Sequence, residues 1–392
     1  MRIAILSHKP CWPTNGGYAT DGGFPIQIEA ISHLFDETLL VVFESGSTAH
    51  GGLRPLQGHN LRVEPLPEPP GHGIRRKLAL VIWVLPRLGR LWSSIRAADA
   101  VHAAVPGDLG TLSLMLALLQ RKPLFVRHCG TWGNRTTMAD RFLAWLLPRI
   151  AGEHRVVMAT GGGPLPPSPK NPAVSWIFST TLSKQELSVL THATPWKRGL
   201  PLRLVTVGRL TEGKNKIAAI EALPEIRNTQ TDVRLEVVGD GPSRTGLERR
   251  VEELELEEFV VFRGNISHSE VLETLSRSHL FVFPTRVSEG FPKAVLEAMA
   301  CGLPVIAPSV SVLPHLLGSG AGFVIDDVEA ATIARAVVDL TTDTHRLEVM
   351  ARKARKTAEH YTLENWSQTI RERLELAWGR PLRAGASAST AA

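Results

Sequence analysis

Short unbroken apolar runs alternate with stretches of helical period through most of the chain. Arg2–Leu6 is such a run, and a glycine-rich loop follows it (Asn15-Gly16-Gly17, then Asp21-Gly22-Gly23). Pro25 to Phe35 carries Ile28, Ile31 and Leu34 at i, i+3 and i+6, the spacing of one helix face. Thr38–Phe43 is continuous and predicts a buried strand. Ala100–Ala104, Pro123–Arg127 and Val156–Ala159 predict three more. Leu109–Leu119 is apolar on nearly all sides and predicts a buried helix.

Residues 161–169 (Gly161-Gly162-Gly163-Pro164-Leu165-Pro166-Pro167-Ser168-Pro169) are too rich in Gly and Pro for regular structure. Ser183-x-x-Glu186 then reads as a capping box that opens a short helix. Past Pro201 the alternation restarts more cleanly. Strands are predicted at Leu202–Val207, Val233–Val238, Phe259–Phe262, Leu280–Phe283 and Pro304–Ala307. Helices are predicted at Ile217–Ile226, Ser243–Leu254 and Pro292–Ala300, with a further one capped by Ser267-x-x-Glu270. Strands alternating with helices argue for parallel sheets covered on both faces. The reading is α/β, with two Rossmann-like domains joined around residues 180–200.

The length of 392 residues allows two to three domains of roughly 150 each. A hydrophobic fraction of 43% and a charged fraction of 21% exclude disorder, collagen and coiled coil as the main state. Cys11, Cys129 and Cys301 fit neither a disulfide framework nor a zinc site, and suit a reducing compartment. The apolar start is too short for a signal peptide and no run of ~18 apolar residues occurs, so a soluble, cytoplasmic protein is expected. Residues 1–175 hold 18 Lys+Arg against 11 Asp+Glu, whereas the remainder holds 26 against 27. The positive excess of the first half suits an anionic partner or an ordinary basic surface. The tail 381–392 is of low complexity and is expected to be disordered.

Candidate chemistry concentrates after Leu280–Phe283. Glu289 lies in the loop beyond that strand, and Glu297 lies about one turn into the helix behind Pro292. Ligands of open α/β sheets bind at the carboxyl ends of strands, and a helix start there favours phosphate. Carboxylates repel phosphate but accept hydrogen bonds from sugar diols, so a nucleotide-sugar fits. The alternative is two glutamates that only complement a helix dipole. Gly239-Asp240-Gly241 invites a dinucleotide reading, but Arg244 stands where that fingerprint needs glycine. This disfavours a dehydrogenase. Gly241 instead lets backbone approach the nucleotide, and Phe262-Arg263-Gly264 is placed to meet the base through its main chain.

The stretch Ser288–Ala307 resembles the E-x7-E signature of GT-B glycosyltransferases, specifically the retaining glycosyltransferase family 4 group (glycosyl transferases group 1). The likeness extends to Val207-Gly208-Arg209-Leu210 with Lys214, to Val238-Gly239-Asp240-Gly241-Pro242, and to Tyr361-Thr362-Leu363-Glu364-Asn365-Trp366. It is strong over residues 200–375 and weak over 1–150. It implies a GT-B fold: two Rossmann-like domains facing each other across a cleft, with a C-terminal helix returning to the first. The expected domains are 1–190 with 362–380, binding acceptor, and 200–360, binding the nucleotide-sugar donor.

The resemblance implies a transferase of the EC 2.4 class that moves a sugar from a nucleotide-diphosphate donor, such as a UDP- or GDP-sugar, to an acceptor hydroxyl with retention of configuration. Arg209 and Lys214 then bind the diphosphate, Glu289 the donor sugar and Glu297 the ribose, with Gly290 and Phe291 in the same donor loop. Gly22-Gly23 takes the family's Gly-Gly position against the donor phosphates, preferred to Gly16-Gly17 because a helix follows at once. His128 takes its V-H-G position near the donor sugar, in preference to His102. No DxD triplet occurs, so no metal site is expected and fixed cations carry that role; no resident cofactor is expected either. The family's Asn-Gly-Val-Asp-like turn is replaced here by Met158-Ala159-Thr160-Gly161-Gly162-Gly163.

Residues 69–98 contain no acid but carry Arg75, Arg76, Lys77, Arg87, Arg90 and Arg96 among Leu78, Leu80, Ile82, Trp83, Leu88, Leu91 and Trp92. Residues 74–98 read as a peripheral contact with an anionic membrane, at the inner face of the plasma membrane, or as a core helix with a solvated basic face. A glycan, small-molecule or lipid-linked acceptor fits; nucleic acid does not, for want of a reading helix. Two rivals stand beside transfer: a nucleotide-sugar epimerase on the same fold, and a non-catalytic nucleotide-sugar-binding scaffold.

Overall fold

The computed structural model describes residues 1–383 except 50, 51, 72, 134, 164, 166, 169, 179, 230 and 231. The low-complexity tail lies outside the described residues from 384 onward, as do Pro164, Pro166 and Pro169 of the Gly/Pro-rich stretch. The chain divides into two compact units. One comprises Met1–Thr160, Pro166–Thr181 and Leu363–Ala392, the other Gly161–Leu165 and Leu182–Thr362.

The first unit runs β1 (Arg2–Thr14), β2 (Gly17–Thr20), α1 (Phe24–Ser32), β3 (Glu37–Glu44), β4 (Arg54–Pro55), β5 (Leu61–Pro67), α2 (Gly73–Val84), α3 (Leu88–Ala97), β6 (Ala100–Val105), α4 (Asp108–Leu119), β7 (Leu124–Thr131), α5 (Met138–Ile150), β8 (Arg155–Thr160) and β9 (Val174–Trp176). Its strands order β5-β3-β1-β6-β7-β8-β9, each adjacent pair parallel. Helices cover both faces, which is why these strands read as unbroken apolar runs. One face packs Trp83, Leu91, Leu114 and Leu143 from α2 to α5. The other packs Ile28 and Ile31 of α1.

Two sequence expectations need correction here. β1 does not stop at Leu6: its register shifts between Leu6 and Pro10, and it then turns back as an antiparallel hairpin with β2, pairing Thr14 with Gly17. The first glycine pair therefore closes a hairpin. β5 was not anticipated, because it contains Pro65 and Pro67; as the sheet's edge strand it tolerates the missing donors.

The second unit runs α6 (Lys184–Val189), β10 (Leu202–Val207), α7 (Lys216–Glu221), α8 (Leu223–Thr229), β11 (Val233–Val238), α9 (Arg244–Glu253), β12 (Val260–Gly264), α10 (His268–Ser276), β13 (Leu280–Val282), α11 (Lys293–Ala300), β14 (Val305–Pro308), α12 (Leu313–Leu317), β15 (Gly322–Ile325), α13 (Ala330–Thr342) and α14 (Thr344–Glu359). Its six parallel strands order β12-β11-β10-β13-β14-β15. Strand order thus reverses between β10 and β13, the switch point at which doubly wound sheets bind ligands. Both expected capping boxes form, at Ser183 with Glu186 and at Ser267 with Glu270. The helix expected over Ile217–Ile226 is instead split into α7 and α8, with Pro224, which has no N–H to donate, just past the break.

The last helix, α15 (Leu363–Trp378), belongs to the first unit. Trp366, Ile370, Leu374 and Trp378 line its buried face. The Trp378 indole donates to the His154 carbonyl at 3.0 Å, and the Arg127 guanidinium lies 5.2 Å from the Trp366 ring. Trp366→Ala is expected to lower the unfolding free energy by about 3–5 kcal/mol, the usual cost of truncating a buried large aromatic. Urea titration measures it, and a loss below 1 kcal/mol would show that α15 is not a structural part of the first unit.

Candidate functional site

Beside the switch point the loops after β10, β11 and β12 line an open cavity of about 460 Å³. Val207, Gly208 and Arg209 form one wall, Val238 to Gly241 a second, and Gly264 to Ile266 a third. The walls are fastened to each other by main chain: Gly208 N–H donates to the Val238 carbonyl (2.9 Å), Gly239 N–H to that of Gly264 (2.9 Å), and Leu210 N–H to that of Asp240 (2.9 Å). A Cβ on Gly239 would lie 2.2 Å from the Gly208 oxygen, and one on Gly241 2.4 Å from the Leu210 oxygen. Both glycines are therefore required by close approach, and both have positive φ.

Lys214 ends a short turn, Glu212–Lys214, that follows β10. Asn215 terminates this turn at φ 50°, a left-handed position that asparagine tolerates, and its amide donates to the Val328 carbonyl at 3.1 Å. The Lys214 ammonium forms an ion pair with Glu289 from the loop after β13. That loop is stitched to the Lys214 turn by Arg286 N–H donating to the Gly213 carbonyl (2.9 Å). Ser311 holds the Glu289 main-chain oxygen at 2.5 Å. Gly290 lies against Gly161, whose Cβ would be 3.0 Å from the Gly290 Cα, and Phe291 packs on Tyr361 with ring centroids 5.6 Å apart.

Glu297 sits on α11 and is largely buried. His268 of α10 lies between it and Glu186 of α6, with nitrogens 3.8 Å and 4.0 Å from the two carboxylates. Burial pushes the Glu297 carboxyl up to about 7; Glu186 adds to this and Lys293 opposes it. The Arg263 side chain turns to Glu236, 3.6 Å away, and the cavity is lined by the three residues after it. Thus Arg209 and Gly241 line one cavity from two of its walls, Lys214 and Glu289 form a pair at the switch point, and Glu297 belongs to a separate cluster. His268 and Glu186 were missed by sequence reasoning, since the capping boxes at Ser183 and Ser267 gave no hint that the two helix starts meet.

In the first unit, Gly22 has φ +70° and open space around its Cα, and Gly23 caps α1. His128 lies near the carboxyl end of β7 and is buried. Its Nδ1 is 3.1 Å from the Gly130 carbonyl, and its ring meets Trp132 edge-on at 5.3 Å. Burial lowers its affinity for a proton. His102 is wholly inside the core, stacked on Phe125 at 4.3 Å and pushed down to about 3 by burial. Cys129, next to His128, is exposed, whereas Cys11 and Cys301 are buried; all three are free thiols.

Residues 196–357 match the family described as glycosyl transferases group 1. A GDP-mannose-dependent alpha-(1-6)-phosphatidylinositol monomannoside mannosyltransferase of Mycolicibacterium smegmatis is 33% identical over 175 residues, 43% of this chain and 45% of that one. The phosphatidylinositol N-acetylglucosaminyltransferase gpi3 subunit of Schizosaccharomyces pombe is 32% identical over 118 residues, 30% of this chain and 26% of that one. The match thus spans less than half the length of either relative. Among solved structures, Anabaena Alr3699/HepE in complex with UDP superposes with a TM-score of 0.68 at 18% identity, covering 96% of this chain and all of that one. A glycosyltransferase from Rickettsia africae superposes at 0.69 and 13% identity, covering 96% and 98%. The fold is that of the GT-B glycosyltransferases, with two Rossmann-like units.

The Glu297 proton gives a pH signature. A carboxyl raised from 4.5 to about 7 binds its proton more tightly when folded. Its contribution to stability is therefore complete below about pH 4.5 and is lost as pH rises through about 7. Glu297→Gln should remove that part of the decline, so the wild type loses more stability than the variant between pH 5 and 7.5. Urea midpoints at the two pH values test this, and equal declines would contradict it.

Proposed function

Because residues 196–357 carry the glycosyl transferases group 1 domain, we propose that the chain moves a sugar from a nucleotide-diphosphate donor to an acceptor hydroxyl. The observation that carries the reading is the Lys214–Glu289 pair at the switch point, beside a cavity walled by Arg209 and glycine main chain. A cation facing a carboxylate is a site with its charges pre-set. A diphosphate takes the Lys214 ammonium from Glu289, and the released carboxylate accepts hydrogen bonds from the donor sugar hydroxyls. Arg209 and the N–H groups of the cavity wall take the rest of the diphosphate charge. Glu297, raised to about 7 and so partly protonated at neutral pH, presents both a donor and an acceptor to ribose hydroxyls.

In the reaction the bond from the donor anomeric carbon to the leaving phosphate oxygen breaks, and the acceptor oxygen bonds to that carbon from the same face. The acceptor proton passes to the leaving diphosphate. Configuration is retained. Arg209 and Lys214 offset the growing negative charge, so we assign the reaction no metal requirement. Gly22-Gly23 and His128 are assigned to the same donor, the glycines against phosphate and the histidine toward the sugar.

The acceptor is proposed to be lipid-linked, and residues 74–98 to rest on an anionic bilayer. Ile82 is 74% exposed and Leu85 66%, and both lie among Arg87, Arg90 and Arg96. Arg87 stacks over the Trp83 ring at 4.6 Å and donates to the Trp83 carbonyl at 2.8 Å, covering the apolar body of the indole. Helix α5 covers the same face of its sheet and exposes Met138, Phe142 and Trp145 beside Arg149. The side chains of Arg75, Lys77 and Leu78 lie outside the described residues. Among the described residues no helix is long and apolar enough to cross a membrane.

Two tests follow. Calorimetry with UDP, GDP, ADP and TDP should show one tight nucleotide, weakened at least tenfold by Lys214→Ala. With the matching nucleotide-sugar and EDTA present, Glu289→Gln should cut turnover by about 10²–10³ while leaving nucleotide affinity within a few-fold, as for loss of one charge-stabilising group. Isomerised donor without transfer would instead establish an epimerase, and binding without turnover a scaffold. Separately, co-sedimentation with vesicles should require phosphatidylserine or phosphatidylglycerol. It should weaken by at least about thirtyfold in Arg87→Glu/Arg90→Glu, at ~1 kcal/mol for each of the two surface cations and more for their reversal. Equal binding to neutral vesicles would sink the membrane assignment.

A further inference from the structure

Lys216 opens α7, yet its side chain runs inward and is 2% exposed. Its ammonium donates to the Thr206 hydroxyl at 2.7 Å and to the Val207 carbonyl at 3.1 Å, both at the end of β10. It lies 5.4 Å from the Phe283 ring centroid, and a Cβ on Gly208 would be 3.9 Å from it. Lys216 therefore stands directly behind the Val207–Gly208 wall of the cavity. Among the described residues no carboxylate pairs with it. The charged groups that act on it are Lys214, which disfavours its proton, and Glu289, which favours it and is engaged by Lys214.

A buried amine with two neutral acceptors and no counter-ion is costly as a cation. Packing does not call for an amine here either, since the next buried positions of α7 are Ala218, Ala219 and Ile220. The missing counter-charge lies on the other side of the wall, where the proposed function puts a diphosphate.

We propose that Lys216 is a buried third cation of the donor site, protonated when a nucleoside diphosphate fills the cavity in front of it. The inference rests on the nucleotide-sugar reading above. In the chain by itself burial lowers the amine to about 7, with Lys214 adding to the shift and Glu289 opposing it, so near pH 8 it is mostly neutral. Negative charge in the cavity favours the ammonium. The amine lone pair then accepts a proton from the buffer, and occupancy of the site and that proton become linked. Lys216 acts through the wall on the charge balance of the site and does not touch the reacting atoms.

Calorimetric titration with UDP and with GDP at pH 8, in buffers of different ionisation enthalpy, counts the protons. Wild type should take up about 0.5–1 proton per nucleotide bound, and its affinity should fall several-fold per pH unit above pH 7. Lys216→Met should bind about tenfold more weakly at pH 7, take up no proton and lose the pH dependence. Its melting temperature, unchanged or raised, separates this from misfolding. The wild-type pH series stands independently if the variant does not fold. Binding without proton uptake, or uptake that Lys216→Met retains, overturns this inference and leaves the proposed function intact. Failure of both nucleotides to bind overturns the two together.

Discussion

The chemistry of the second unit depends on backbone approaching backbone more closely than any side chain permits. Gly239 and Gly208 meet where a Cβ would fall 2.2 Å from a carbonyl oxygen, and Gly241 meets Leu210 at 2.4 Å. These contacts draw the ends of β10, β11 and β12 into one rim and direct its main chain inward. Everything else at the rim is arranged around that closure. Arg209 leaves it as a cavity wall, Lys214 is carried on the turn just beyond, and Lys216 is folded back beneath. Three cations thus issue from eight consecutive residues (209–216), at three different depths relative to one surface.

Charge balance then explains the remaining geometry. Lys214 and Glu289 come from loops on opposite sides of the strand-order reversal, and each neutralises the other. Under the proposed function, an unpaired carboxylate at that position would weaken the field offered to phosphate, and an unpaired lysine would gather stray anions. The pairing restrains both long side chains, which under the proposed function lessens the entropy lost when a ligand binds. Glu297 is handled differently: it is largely buried beside His268, and burial raises its carboxyl to about 7, so part of the population holds its proton at neutral pH.

How much of this could be read from the chain depends on the range of the interaction. The βα alternation, the capping boxes and the strand-end glycines are local, so the parallel sheets and the cavity rim were visible in the residues themselves. The strand β5 was hidden because two prolines argue against a strand unless it lies at an edge, and edge position is set by the whole sheet. The split between α7 and α8 could have been drawn from Pro224 alone. Lys216 and His268 were invisible for a different reason. A lysine at a helix start looks solvated, and its inward course is fixed by where β10 ends. His268 matters only because α6 and α11, each far away in sequence, arrive on either side of it.

The three cysteines, unremarkable as a set, differ sharply in access. Cys11 and Cys301 are buried, and burial pushes their thiols up to about 11 and about 12, so neither forms a thiolate near neutral pH. Cys129 alone faces solvent, one residue beyond His128. The unmodified chain therefore comes with a single addressable handle beside a proposed donor contact. A maleimide fluorophore there would turn any movement of the end of β7 into an optical signal, with no engineered cysteine and no competing label.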